Sequence, residues 1–238
     1  MSDIVEEENT HGIGVPVRRR EDLRFITGNG NYTDDISQPG QVHALFCRRP
    51  LARANITSLD FSDAMQVPGV IACYSGKEMV QDEIGDLPCG WMVNSKDGSE
   101  MLSAPHPPLA VDTVNYVGEP FAIVIAESIE AARQGVDAAA VEFEELNPVV
   151  DLSTAAQSEQ LYEGIPNNRA YQWALGDEEA TRTAFAKASH VTSLELSNNR
   201  LIPNAIEPRA CLGAYDSSTG DYTLYTTCLL YTSPSPRD

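Results

Sequence analysis

The alternation of apolar and polar positions changes period within one stretch, 107–151, and the changes predict its elements. Residues 121–126 are an unbroken apolar run rich in Ile and Val, which suits a strand buried on both faces with Ile123 and Ile125 at its centre. Ser128 is placed to cap a helix, and Glu127 and Glu130 put negative charge near its N-terminus. Ile129, Ala132, Val136 and Ala139 then recur at helical spacing, with Glu130, Arg133, Gln134 and Asp137 on the polar side. Residues 141–144 alternate with period two, as a half-buried strand does. Gly118-Glu119-Pro120 makes the turn into the stretch, since Gly reaches backbone angles closed to other residues and Pro120 pushes Glu119 away from helix. Strand, helix and strand predict a compact α/β unit.

The same patterning predicts strands over 42–47, 56–61 and 70–74, with short helical pieces over 62–67 and 76–80. That alternation supports an α/β or α+β domain. Residues 81–106 mix Gly, Pro and charge, as a long surface loop does, with Cys89-Gly90-Trp91-Met92 as an apolar anchor inside it. The pattern weakens over 152–176, which reads as a linker. An amphipathic helix capped by Asp177 follows over 177–188, and 190–197 alternates in strand fashion. Residues 211–215 and 221–226 form a hairpin around the turn residues Asp216 to Gly220.

Composition narrows the setting. A chain of 238 residues holds one or two domains with a core of their own. Its 35 acidic residues against 16 basic ones give a formal net charge of −19, which repels nucleic acid and anionic membranes. No apolar run approaches the roughly 20 residues of a membrane span, and the acidic N-terminus has no apolar core of a secretory signal. Cys47, Cys73, Cys89, Cys211 and Cys228 are scattered and odd in number, as reduced thiols are. A cytoplasmic protein without a nucleic-acid partner or a membrane span is expected.

Tyr116-Val117-Gly118-Glu119-Pro120, the helix after it, and the exit through Val141-Glu142-Phe143-Glu144-Glu145-Leu146-Asn147-Pro148-Val149-Val150 resemble the α/β hammerhead domain of the aldehyde oxidase/xanthine dehydrogenase/carbon monoxide dehydrogenase family. Three more stretches are similar to that family: Arg20-Glu21-Asp22-Leu23-Arg24, Gly28-Asn29-Gly30-Asn31-Tyr32 running into Asp34-Asp35-Ile36, and Glu207-Pro208-Arg209-Ala210. Arg49 and Arg53 depart from the family's pattern. The resemblance implies an α/β (α+β) fold: an N-terminal arm and leading segment over 1–36, the hammerhead over 37–151, a linker over 152–176, and the start of a molybdopterin-binding domain over 177–227. It also implies a full-length large subunit that oxidises aldehydes, N-heterocycles, purines or carbon monoxide with water-derived oxygen. That chemistry belongs to a molybdenum–molybdopterin cofactor, with iron–sulfur and flavin subunits or domains as partners. In the family, the equivalent of Tyr225-Thr226-Thr227 runs on to a glutamine near the metal. Residues 228–238 depart from this abruptly and read as a non-native tail. The chain is therefore expected to be an N-terminal fragment, inactive alone and holding no cofactor, with no catalytic, cofactor-binding or metal-binding residue of its own. The alternative is a free-standing, non-catalytic hammerhead module for assembly or binding.

The residues themselves offer few chemical candidates. Gly28-x-Gly30 lacks the third glycine of a dinucleotide loop and reads as a turn. Cys89 has no ligand partner at metal spacing. Glu142, Glu144 and Glu145 are read as a solvated strand face. Glu119 is a turn residue first and a residue near the full enzyme's substrate channel second. Glu207, before Pro208, has the same two readings. Arg18, Arg19 and Arg20 form a solvated charge run or a contact to a neighbouring domain.

Overall fold

The computed structural model describes residues 20–198, 201–202, 204–205 and 207–227. In chain order the helices are α1 (Asp22–Ile26), α2 (Gly76–Gln81), α3 (Ile129–Ala138) and α4 (Glu178–Lys187). The strands are β1 (His43–Cys47), β2 (Ala54–Asp60), β3 (Val70–Ser75), β4 (Thr113–Val114), β5 (Ala122–Ala126), β6 (Ala140–Glu145), β7 (Cys211–Asp216) and β8 (Asp221–Thr226). The chain divides into two units, one spanning 40–194 and one joining the residues before 40 to those after 194.

The 40–194 unit holds two three-stranded sheets, ordered β1-β5-β3 and β4-β2-β6, and every pairing in them is antiparallel. β5 and β6 are therefore not partners across one parallel sheet. Both edges of β5 are taken by β1 and β3, so α3 carries the chain to the other sheet, where β6 pairs with β2. The strand-helix-strand succession is as the sequence predicts, but its two strands serve different sheets.

Within β5, Ala122, Val124 and Ala126 are buried, while Ile123 and Ile125 are only half-buried. The expectation of a strand buried on both faces is corrected here. One face of the sheet packs on α3, and the other sets the row Phe46–Ile123–Tyr74 beside the row Ala44–Ile125–Ala72. On α3 the buried residues are Ala131, Ala132 and Gly135, and Val136 packs half-buried on the core, which the following Ala139 joins; of the predicted apolar face only Ile129 is exposed. Gly135 sits so close to the sheet that a Cβ there would lie 2.8 Å from Val124 Cγ1 and 2.9 Å from Val70 Cγ2. Ser128 caps the helix, its Oγ accepting the Ala131 N–H at 3.2 Å. The main core joins both sheets through Cys47, Ala54, Val114, Phe121 and Val124, and Phe143 meets the Phe121 ring edge-on at 5.4 Å.

Elsewhere in this unit the loop 81–106 carries one isolated bridge, Asn94 with Glu100. Cys89 and Trp91 do not anchor it, since Trp91 is 80% exposed. Short 3-10 turns stand at Ala155–Gln157 and Pro166–Asn168. α4 is capped by Asp177, whose Oδ1 accepts the Ala180 N–H at 2.8 Å. No strand forms over 190–197. Its alternation is that of a strand, but it has no partner strand among the described residues, and without a ladder the pattern alone makes none.

In the other unit α1 leads to Gly28, whose φ of +74° makes the turn that the sequence predicts. Phe25 stacks on Tyr32 with ring centroids 5.6 Å apart. A 3-10 turn, Thr33–Asp35, donates its Thr33 N–H to Glu207 Oε1 at 3.2 Å. β7 and β8 pair as the expected hairpin, from Cys211 opposite Thr226 to Asp216 opposite Asp221.

Candidate functional site

The turn that leads into β5 gathers more titratable groups than any single element predicts. Gly118 adopts φ +80°, which bends the chain so that its N–H donates to Arg49 O at 3.2 Å. Arg48 Nη1 donates to Gly118 O at 2.5 Å, and its guanidinium lies 5.3 Å from the Phe46 ring centroid. Pro120 O then accepts the Ala110 N–H at 2.8 Å, and the Phe121 N–H donates to Cys47 O at 3.1 Å. The turn is thus riveted to the end of β1 on one side and to 109–110 on the other.

Glu119 is folded inward by this turn and is only 7% exposed. Its Oε2 accepts the Asn115 N–H at 2.5 Å, and its own N–H donates to Tyr116 O at 3.1 Å. Burial pushes the carboxyl above the usual carboxylate range, against the opposing pull of the Asn115 N–H, the His106 charge and the Tyr116 N–H. Tyr116 is raised by burial and then by the Glu119 charge, with Arg48 opposing. Tyr162 is raised by burial and then by Glu119 and Tyr116. Asn115 Oδ1 is buried beside them without a protein partner. A buried carboxylate flanked by two tyrosines and a histidine is equipped to hold a proton or orient a polar group.

The other sequence candidates lie apart. Glu142, Glu144 and Glu145 are exposed on β6, with Glu144 Oε2 accepting from Asn55 Nδ2 at 3.4 Å. Glu207 holds the Thr33 N–H in the other unit. Cys89 is exposed, its Sγ donating to Trp91 O at 3.4 Å. Arg20 is exposed, and Arg18 and Arg19 lie outside the described residues, as does the 228–238 tail. Among the described residues no three His, Cys, Asp or Glu side chains converge to hold a metal ion, and no helix is long and apolar enough to cross a membrane. Sequence reasoning singled out Glu119 but not Asn115, His106, Arg48 or Tyr162 around it. Asn115 stands four residues before Glu119, but His106, Arg48 and Tyr162 come from other segments, and no local spacing signals their meeting.

Two family matches cover most of the chain. Residues 27–147 match the a/b hammerhead domain of aldehyde oxidase and xanthine dehydrogenase, and residues 161–232 match the molybdopterin cofactor-binding domain. The chain belongs to the aldehyde oxidase and xanthine dehydrogenase family. Among its curated relatives are the nicotine 6-hydroxylase large subunit of Paenarthrobacter nicotinovorans, 36% identical over 86% of this chain and 24% of the relative, and the carbon monoxide dehydrogenase large chain of Hydrogenophaga pseudoflava, 30% identical over 87% and 26%. The chain thus spans about a quarter of the length of the relatives it matches. A solved structure of reconstituted carbon monoxide dehydrogenase from Oligotropha carboxidovorans superposes with a TM-score of 0.73 at 28% identity, over 89% of this chain and 27% of that one.

The family name implies molybdopterin, a phosphate-bearing pterin whose cradle needs N–H donors and close backbone approach around an enclosed space. The described residues of the matching stretch do not fit it. β8 is exposed at every residue, and a Cβ at Gly213 or Gly220 would meet nothing within 4 Å. A depression of about 440 Å³ at the start of α4 sets Asp177 and Glu178 against Lys96 and Arg182 on its wall, so it offers no excess of positive charge for a phosphate. No chemical step through the cofactor is derived from these residues.

Proposed function

We propose that the chain forms part of the large, molybdopterin-binding subunit of a molybdenum hydroxylase. The whole enzyme would oxidise an aldehyde, an N-heterocycle or purine, or carbon monoxide with oxygen taken from water, and pass electrons to iron–sulfur and flavin subunits or domains. The observation that carries this reading is the order of the two matches, a hammerhead over 27–147 followed by a cofactor-binding domain over 161–232. The relatives' names, a nicotine hydroxylase and a carbon monoxide dehydrogenase, set the range of substrates. The chain alone is inactive in this reading and is assigned no catalytic, cofactor-binding or metal-binding residue. Glu119 supports the fold of the turn rather than the chemistry.

A second reading, a non-catalytic hammerhead module that pairs with another chain, draws on the self-contained core of the 40–194 unit. One experiment separates the two. The chain is co-expressed with the remaining cofactor-binding part of a relative's large subunit and with its iron–sulfur and flavin subunits. Molybdenum content and dye-coupled oxidation of an aldehyde, a purine, nicotine and carbon monoxide are then measured. Molybdenum and turnover of one substrate class support the enzyme reading. A stable complex without metal or turnover supports the module.

A further inference from the structure

Glu207 precedes Pro208, and the proline ring biases it towards extended backbone, which limits where its side chain can start. Its Oε1 accepts the Thr33 N–H at 3.2 Å, across 174 positions of the chain. Thr33 opens the 3-10 turn Thr33–Asp35, and the first N–H groups of a helical turn have no acceptor inside it. A carboxylate from the other end of the chain supplies that acceptor. The same turn packs against β7, which begins four residues after Glu207.

The segment 20–36 is braced before it meets that carboxylate. The Asn29 N–H folds back on Arg24 O at 2.9 Å, and the Phe25 and Tyr32 rings stack with their planes 7° apart. Gly30 lies so close to Phe25 that a Cβ there would come within 2.9 Å of Phe25 Cδ1. The Tyr32 N–H donates to Asp35 Oδ2 at 2.9 Å, and the Asp35 N–H donates to Tyr32 O at 3.0 Å. A piece held at so many points offers the Thr33 N–H in one direction.

The hairpin needs such a piece. A two-stranded hairpin alone is marginal in water, and among the described residues β7 and β8 pair only with each other. β8 is exposed at every residue, whereas β7 is half-covered at Leu212 and Ala214. β7 is the strand that the 3-10 turn meets.

We propose that residues 20–36 and 207–227 are two pieces of one folding unit, with the hammerhead inserted between them in the chain and Glu207 as the residue that joins them. The face of β7 beside Glu207 is then an interaction surface whose partner is the chain's own N-terminal segment. Residues 27–36, which the hammerhead match includes, belong by these contacts with the stretch that matches the cofactor-binding domain. The proposal is independent of whether the whole protein is an enzyme or a binding module.

The test follows amide hydrogen exchange in the full chain, in Glu207→Ala, in Glu207→Gln and in a variant lacking residues 1–36. Glu207→Ala removes the acceptor, and the Thr33 amide is expected to lose protection roughly tenfold, the worth of a hydrogen bond to a charged group. Glu207→Gln keeps an oxygen at the same place and is expected to retain most of that protection. The shortened chain is expected to lose protection along β7 and β8, with the amides of β5 unchanged. Thr33 protection that survives in Glu207→Ala, or that fails as fully in Glu207→Gln, overturns the join. Unaltered β7 and β8 amides in the shortened chain overturn the shared unit, and so does a loss shared equally by β5.

Discussion

Gly135 shows how a single missing methyl sets the distance between helix and sheet. Replacing it with Ala gains about 1 kcal/mol of helix propensity. The new Cβ would lie under 3 Å from γ carbons of Val124 and Val70, and valine side chains are stiff, so the overpacking cost of about 1–3 kcal/mol prevails. Gly135→Ala is expected to lower the urea midpoint, with a net loss of about 1–2 kcal/mol. Glu119 makes a prediction of opposite kind. Its folded carboxyl titrates above the ordinary value of 4.5, so in the window above that value the folded state holds the proton more firmly than the unfolded state. Stability is therefore lost as pH rises through that window, and the cost of the buried charge is complete above the raised value. Glu119→Gln keeps an acceptor for the Asn115 N–H and removes the charge. Its melting temperature is expected to fall less than the wild type's as pH rises from 4.5 upward. Equal slopes in the two proteins would mean that the carboxylate is solvated. At this scale the sequence was partly legible. Gly118-Glu119-Pro120 announces a turn, but nothing near it in the chain announces Tyr162, His106 or Arg48.

Elements were legible where periodicity and caps agree. Ser128 and Asp177 cap α3 and α4 as their positions suggest, and the hairpin of β7 and β8 follows from the turn residues between them. What local pattern does not encode is the partner. β5 and β6 flank one helix yet belong to different sheets, β4 is two residues long and leaves no period to read, and 190–197 has a strand's alternation but no strand beside it. The burial of β5 on one face only has the same reason, since which side meets α3 depends on packing. Val124 is fully buried and Ile125 is not, so the two aspartate substitutions should differ. Val124→Asp buries an unpaired charge at a cost of several kcal/mol, about the whole stability of a domain, and is expected to yield no cooperative melt. Ile125→Asp turns its charge to the outer face and is expected to fold with a lowered midpoint. Matching behaviour of the pair would reject the assigned faces. Ser128→Ala removes one capping bond from a helix that packs on the sheet and is expected to cost about 1 kcal/mol in urea unfolding.

For the whole molecule, the family matches and the structure point to a chain whose stable part is the two-sheet unit. Its proposed division places a hammerhead over 37–151 and the start of a cofactor-binding domain over 177–227. Limited trypsin digestion bears on that division. The first cut is expected at Lys187 or in the 81–106 loop, with Arg133 on α3 protected, because α3 is held against the sheet and α4 is exposed throughout. Early cleavage at Arg133 would show that the two-sheet unit is not the stable one. The central claim, that this chain supplies scaffold to a molybdenum hydroxylase while the cofactor chemistry needs residues beyond it, is most directly tested by metal analysis. Molybdenum per polypeptide is measured on the purified chain, together with dye-coupled oxidation of an aldehyde and a purine. The account predicts no stoichiometric molybdenum and no turnover from the chain alone. Stoichiometric molybdenum with turnover would contradict it.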